Sequence, residues 1–366
     1  MSDTADVRDY EVVVVGGGPA GLQTALYTTR LGHDTAVVDR GGGRAAMMLE
    51  THNVIGVPEE TSGNEFLQTA QEQVKSYGAD IVRDFIVEAE RTEDGRFRLL
   101  GNDAEFLADR VVLGVGFNDE RPKPPVPRTG RGLHYCLHCD AYMFVDRPVY
   151  VMGTGEAAAH VAMIMLNFTD EVDLLLRGEQ PEWSDETDEQ LRAHPIDIIE
   201  SEIVGMRKGD DGWLEAFEFE DSVGPRSTGS GPESGDDSVR RYRGGFPMYG
   251  SNYNTALPEQ LGCELNDDGT VVVDDSMETT VDGVYAVGDI TSGHNQVPVA
   301  MGQGAQAGID IHYTLREFPR DLETIRENGP VSPDELPGLG SRVRAAAADF
   351  EEARAPPLEP DAASDD

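Results

Sequence analysis

Two short stretches limit what this chain can fold into: Gly16-Gly17-Gly18-Pro19-Ala20-Gly21 and Gly153-Thr154-Gly155-Glu156-Ala157-Ala158. An apolar run over residues 10–15 leads into the first, and a helical pattern over 22–31 follows it. Residues 148–152 lead into the second, with a helix expected over 159–167 and a strand over 172–176. A glycine match alone is weak, but strand, glycine turn and helix in that order are the setting the match requires. The glycines permit a tight turn and close backbone approach, and the helix N-terminus turns unpaired N–H groups toward a pyrophosphate. The first unit continues into a second apolar run, 35–38, that ends in Asp39, where a carboxylate accepts from a ribose hydroxyl. The second ends instead in Arg177-Gly178. Arg177 reads two ways: as a partner for a 2′-phosphate, favouring NADP over NAD, or as an ordinary surface arginine. Two such units point to two dinucleotides, or to one dinucleotide and a vestigial site.

Between the units lies His134-Tyr135-Cys136-Leu137-His138-Cys139-Asp140, which holds two of the three cysteines in 366 residues. Sulfurs at this spacing can close into a small disulfide ring or ligate one metal ion. A thiol pair carries two-electron chemistry once one sulfur is a thiolate, and nearby charge or a helix N-terminus lowers its pKa. Asp140 follows directly and is a candidate to carry the proton. The rival readings are half a zinc site, Cys136 and Cys139 with His134 or His138, and an inert buried pair. A structural zinc site wants four protein ligands and no second cysteine pair exists, so no metal is expected. The flanking nucleotide signatures favour redox chemistry. Cys263 stands alone and reads as a buried or incidental thiol.

Elsewhere the pattern is coarser. Residues 63–77 read as a helix, and 80–87, 97–100 and 106–115 as strands, the last ending in the small turn Gly114-Val115-Gly116, which suits close approach to a nucleotide. Residues 121–127 are proline-rich and expected to be stiff and extended, a connection between domains. The Gly/Ser/Pro/Asp stretch 222–238 lacks the apolar surface to fold and reads as a mobile loop, with Gly244-Gly245 as a second hinge. Residues 283–288 form a strand that delivers Asp289 at its tip, placed to accept from a ribityl hydroxyl. Residues 296–311 form a helix of small residues whose N-terminus can approach a flat ring closely. After about Arg316 the chain is acidic and proline-rich, and its last dozen residues are expected to be disordered.

The formal net charge is −40, and only Lys75, Lys123 and Lys208 are lysines. So much carboxylate repels nucleic acid and anionic lipid, so neither is an expected partner. The acid excess resembles proteins of extreme halophiles, where salt screens self-repulsion. No run of eighteen apolar residues exists, so no membrane span is expected. The polar N-terminus does not read as a signal peptide, and a Cys pair in such a chain is expected to be catalytic and cytoplasmic.

In order along the chain, the first glycine unit, the Cys136-Leu137-His138-Cys139-Asp140 motif, the second glycine unit and Gly283-Val284-Tyr285-Ala286-Val287-Gly288-Asp289 resemble the low-molecular-weight thioredoxin reductase family of flavoprotein disulfide reductases. The similarity spans roughly residues 8–315 and lies near the gliotoxin-type dithiol oxidases. It implies an α/β fold of two Rossmann-like nucleotide-binding domains, one inserted in the other. Residues 1–118 and 246–315 would bind FAD, 119–245 would form the pyridine-nucleotide-type domain carrying the cysteines, and 316–366 would be a tail. It implies FAD held by Gly16, Gly18, Pro19, Ala20, Gly21 and Asp39, with Gly116 beside it, Asp289 on the ribityl chain and Gln296 and Val297 near the flavin. Gly153, Gly155, Ala158 and Arg177 would take NAD(P), NADPH being the family donor. It implies a homodimer in which Cys139 faces the flavin and Cys136 attacks the disulfide of a thioredoxin-like protein or small molecule after a domain rotation. Two departures stand out. The family's paired arginines are replaced by Leu176-Arg177-Gly178-Glu179, and Leu137-His138 is bulkier than the usual spacer. The alternatives are an oxidase of small dithiols using oxygen and a non-enzymatic zinc or redox-sensing module.

Overall fold

The computed structural model describes residues 7–228 and 237–354, with side chains through residue 348. The chain divides into two compact units, one of Met1–Ala46, Ser62–Phe117 and Tyr253–Asp366, the other of Met47–Thr61 and Asn118–Asn252.

The first unit begins β1 (Val7–Val15), α1 (Pro19–Arg30), β2 (Thr35–Asp39), α2 (Gly63–Ser76), β3 (Asp80–Arg83), β4 (Ile86–Arg91), β5 (Phe97–Gly101), β6 (Glu105–Leu113). These strands lie in the order β3-β2-β1-β6-β5-β4, and Val284–Ala286 adds to β6 in parallel. β1 is valine-rich because both its faces are covered. Val13 and Val15 pack with Phe97, Leu99 and Phe106, while Val12 and Val14 pack with Ala20, Leu22 and Ala25. The single strand expected over 80–87 is two strands. Asp84 breaks it: its buried carboxylate accepts from the backbone N–H groups of Phe85, Asn102, Asp103 and Ala104, and such local bonding competes with the ladder.

The second unit carries β7 (Phe117–Asp119), shared at the boundary, then α3 (Leu137–Asp140), β8 (Val149–Met152), α4 (Glu156–Met165), β9 (Val172–Leu175), α5 (Asp185–Arg192), β10 (Ile196–Ile199), β11 (Ile203–Lys208), β12 (Leu214–Phe219), β13 (Val239–Arg241) and β14 (Gly244–Pro247). A parallel sheet in the order β10-β9-β8-β14 is accompanied by the antiparallel sheet β11-β12-β13. Gly244 and Gly245, read as a hinge, are strand residues paired to Val149 and Tyr150. They are small because space is short: a Cβ on Gly245 would come within 1.9 Å of the Tyr150 carbonyl oxygen.

The stretch read as a mobile loop is tied down where it is described. Arg240 donates to the carbonyls of Val223, Gly224 and Pro225, and Arg226 reaches Glu171 and Asp173. Residues 229–236 lie outside the described residues.

The chain re-enters the first unit through β15 (Ser251–Tyr253), α6 (Ala256–Leu261), β16 (Val284–Ala286) and α7 (Val297–Arg316), followed by α8 (Leu322–Asn328) and α9 (Ser341–Arg354). The small residues of α7 serve helix packing. A Cβ on Gly304 would lie 2.3 Å from the Ala20 carbonyl oxygen, and one on Gly308 would lie 2.7 Å from Tyr27 Cβ. The described residues after Arg316 include α8 and α9 and are attached. Arg316 pairs with Glu11 at 2.7 Å, Arg342 pairs with Asp80 at 2.6 Å, and Val343 is buried. Burial alone would raise the Glu11 carboxyl, but bonds from His33 and the Asp34 N–H, with Arg316 beside them, hold it down at about 2. The tail residues expected to be disordered, 355–366, lie outside the described residues.

Candidate active site

In the first unit the glycine turn, the end of β2 and two helix N-termini converge. A Cβ on Gly16 would sit 2.3 Å from the Gly114 carbonyl oxygen, and one on Gly21 would sit 2.0 Å from that of Gly16. These glycines are needed for contact between turns, including the turn that ends in Gly116. Gly18 differs, since a Cβ there would meet no atom within 4 Å. Gly18 is also the N-cap of α1 and supplies no side-chain cap, so the first N–H groups of Pro19–Arg30 remain for an external anion. Asp39 Oδ1 accepts from the Gly17 N–H and Oδ2 from the Gly41 N–H, each at 3.0 Å, which fixes the carboxylate at the β2 tip. Gly288 lies against Ala20 and Ala300, bringing Asp289 beside the starts of both α1 and α7. Gln296 caps α7 with no side-chain bond, so that helix start, with Val297 at its first position, is likewise open. The Arg44 guanidinium lies 3.9 Å from Asp289 and over the Phe117 ring. The open cradle at Gly18, the fixed acid and the uncapped helix starts fit FAD. When bound, FAD supplies a two-electron carrier; Gly16–Gly21 and Asp39 would hold its pyrophosphate and ribose.

In the second unit Gly153, Gly155 and Ala158 keep the same shape. A Cβ on Gly153 would crowd the Met248 carbonyl oxygen at 2.8 Å, Ala158 is buried, and Gly155 is an uncapped N-cap with open space. The charges are unlike those of a phosphate cradle. Glu156 begins α4, and bonds from the Thr187 hydroxyl and the Ser184 N–H hold its carboxyl below the usual range. Arg177 has a positive φ of 55° and is 5% exposed. Its Nε bonds Glu202 at 2.9 Å, and its terminal nitrogens donate to the carbonyls of Lys123 and Pro124 in the proline run. Between the two sequence readings of Arg177, neither a surface group nor a fork open to solvent describes it.

Cys136 and Cys139 are joined as a disulfide with Cα atoms 5.3 Å apart. The Cys139 N–H donates to Cys136 Sγ at 3.1 Å, and the Asp140 N–H donates to the Cys136 carbonyl at 3.1 Å, closing the turn that sets Asp140 beside the pair. Asp140 Oδ2 is 2.9 Å from His134 Nδ1, a partner that sequence reading considered only as a zinc ligand. Cys263 is buried, and burial pushes its thiol up, which disfavours the reactive thiolate.

The model of the pyridine nucleotide-disulphide oxidoreductases matches residues 10–304. The chain belongs to that family. It is 30% identical over 315 residues to the thioredoxin reductase of Peptoclostridium litorale, covering 84% of this chain and 98% of the relative. Among solved structures, thioredoxin reductase from Streptococcus pyogenes superposes with a TM-score of 0.73 at 25% identity, over 85% of this chain and 99% of that one. HlmI superposes with a TM-score of 0.73 at 27% identity, over 93% and 97%. This disulfide oxidoreductase therefore has the thioredoxin reductase-like α/β fold and is an FAD-dependent enzyme of that type. Among the described residues no helix is long and apolar enough to cross a membrane.

Proposed function

We propose that this enzyme reduces the disulfide of a thioredoxin-like protein, or a small disulfide, with electrons from an external donor. The Cys136–Cys139 disulfide, with Asp140 fixed next to it, is the observation that carries this reading. In it the first unit is the FAD domain, the second is of pyridine-nucleotide type, and the working form is a cytoplasmic homodimer. Arg177 bears on the donor. An arginine fork on a 2′-phosphate discriminates by about ten- to a hundredfold, and here that fork is committed to Glu202 and two carbonyls. Anaerobic titration of the flavin absorbance with NADPH, NADH and reduced ferredoxin, in concentrated salt, tests donor and direction together. The expected result is bleaching by a donor, re-oxidation by a disulfide, and no strong preference for NADPH over NADH. Arg177→Lys should leave the NADPH/NADH ratio unchanged. A large NADPH preference lost in that variant would sink the donor argument. Bleaching by dithiols alone, with rapid re-oxidation in air, would favour the oxidase.

The net charge of −40 supports adaptation to concentrated salt. Screening falls from about 10 Å at 0.1 M to about 3 Å at 1 M, so the thermal midpoint should climb steeply across that range. A midpoint indifferent to salt would remove the halophile reading.

A further inference from the structure

His134 is a histidine with one use. Its backbone is fixed, since Leu133 bridges Gly245 and the His134 N–H donates to the Gly245 carbonyl at 2.9 Å. Its ring is 3% exposed and caged by three aromatics: Trp213 stacked at 6.0 Å, Phe144 edge-on at 5.3 Å and Phe246 tilted at 6.2 Å. Arg243 covers the Trp213 ring at 4.5 Å and is itself held by Asp211 at 2.9 Å. Within this cage Nε2 has no hydrogen-bond partner among the described residues. A buried N–H without an acceptor is costly, so the cage favours the tautomer with its proton on Nδ1. That proton meets Asp140 Oδ2 at 2.9 Å.

We propose that His134 is a positioning residue for the thiol–disulfide step, holding Asp140 in one rotamer and reserving its other oxygen for the proton. The inference rests on the dithiol reading above. In that step the Cys136 thiolate attacks one sulfur of an external disulfide RSSR and the first RS⁻ leaves. The Cys139 thiolate then attacks the Cys136 sulfur, re-forming the internal disulfide and releasing the second RS⁻. Two S–S bonds break and two form, and the two cysteine protons end on the departing sulfurs. Asp140 carries a proton between them; His134 contacts no reacting atom and acts through Asp140.

The test uses the full flavin-loaded chain in concentrated salt, turning over with an excess of whichever nicotinamide donor bleaches the flavin, and with bis(2-hydroxyethyl) disulfide, whose departing alkyl thiolates need a proton at neutral pH, as the disulfide. Asp140→Asn should lower kcat by about a hundredfold, the scale of a lost general acid. His134→Phe should keep the cage filled yet lower kcat about tenfold with KM little changed. The double variant should be no slower than Asp140→Asn alone. Losses that multiply, or a His134→Phe enzyme at full rate, would overturn the proposal. Should the phenylalanine variant fail to bind flavin, an amide pair decides. In His134→Asn the new amide reaches the place of Nδ1 and should rescue; in His134→Gln it reaches toward the place of Nε2 and should not. Equal behaviour of His134→Asn and His134→Gln would overturn the proposal. Full activity in Cys136→Ser or in Asp140→Asn would instead remove the dithiol reading beneath it.

Discussion

Replacing either cysteine of the pair with serine will abolish disulfide turnover while leaving flavin binding intact. The reason is stoichiometric: a two-electron exchange needs a second sulfur to expel the mixed disulfide, and a hydroxyl does not replace it. The variants should differ in what they trap. Cys139→Ser leaves Cys136 able to attack but with nothing to resolve the product, so a stable adduct with a disulfide substrate should accumulate. It is read as a mass increase reversed by dithiothreitol. Cys136→Ser should trap little, because the Cys139 N–H donates to the Cys136 sulfur and so favours the thiolate there, leaving Cys139 as the weaker attacker. A reversed pattern would exchange the roles of the two sulfurs. Retained turnover in both variants would mean that the chemistry bypasses the pair. Cys263 offers no substitute, being buried with its thiol pushed up.

What could be read from the chain alone was what depends on neighbours in sequence. The turn at Gly16-Gly17-Gly18, the acid at the end of β2 and the Cys136–Cys139 spacing are local patterns, and the structure realises them locally. Asp39 even meets the Gly17 N–H directly. Residues whose meaning lies in a distant partner were misread or missed. Arg177 looked open to solvent until Glu202 and the Lys123 and Pro124 carbonyls, 25 to 54 positions away, were seen to hold it. Gly244-Gly245 resembled a hinge because glycine runs usually loosen a chain; here they make room for Tyr150 across the sheet. Gly304 and Gly308 looked suited to a flat ligand, yet they admit α1. His134 was six residues from its partner, close enough to find. No periodicity marks that interval, because His134 precedes Cys136, the N-cap of the single-turn α3, and only Asp140 of the two lies in the helix.

Asp173 carries the largest stability effect expected from a single side chain in the second unit. It is 0% exposed in the middle of β9, a position normally given to valine or leucine. Arg240 donates to both of its oxygens at 3.0 Å, Arg226 donates at 3.2 Å, and the Tyr242 hydroxyl donates at 2.6 Å. The arginines are 5% and 7% exposed, so removing the acid strands two guanidinium groups without their shared anion. Breaking a buried pair from one side typically costs about 3–5 kcal/mol, and Glu171 and Asp197, which retain one arginine each, set the expectation for Asp173→Asn near the lower figure, about 3 kcal/mol. The same network threads the low-complexity stretch, since Arg240 also grips the carbonyls of residues 223–225. Asp173→Asn should therefore lower the thermal midpoint and make the chain near residues 222–228 much more sensitive to a brief protease pulse. Concentrated salt should not restore it, because screening does not reach a buried site. The control is the exposed pair Lys123–Glu179, where Glu179→Gln should change neither readout measurably. An Asp173→Asn protein as stable and as protease-resistant as the parent would show that the arginines find other partners, and that the segment is held by something other than this acid.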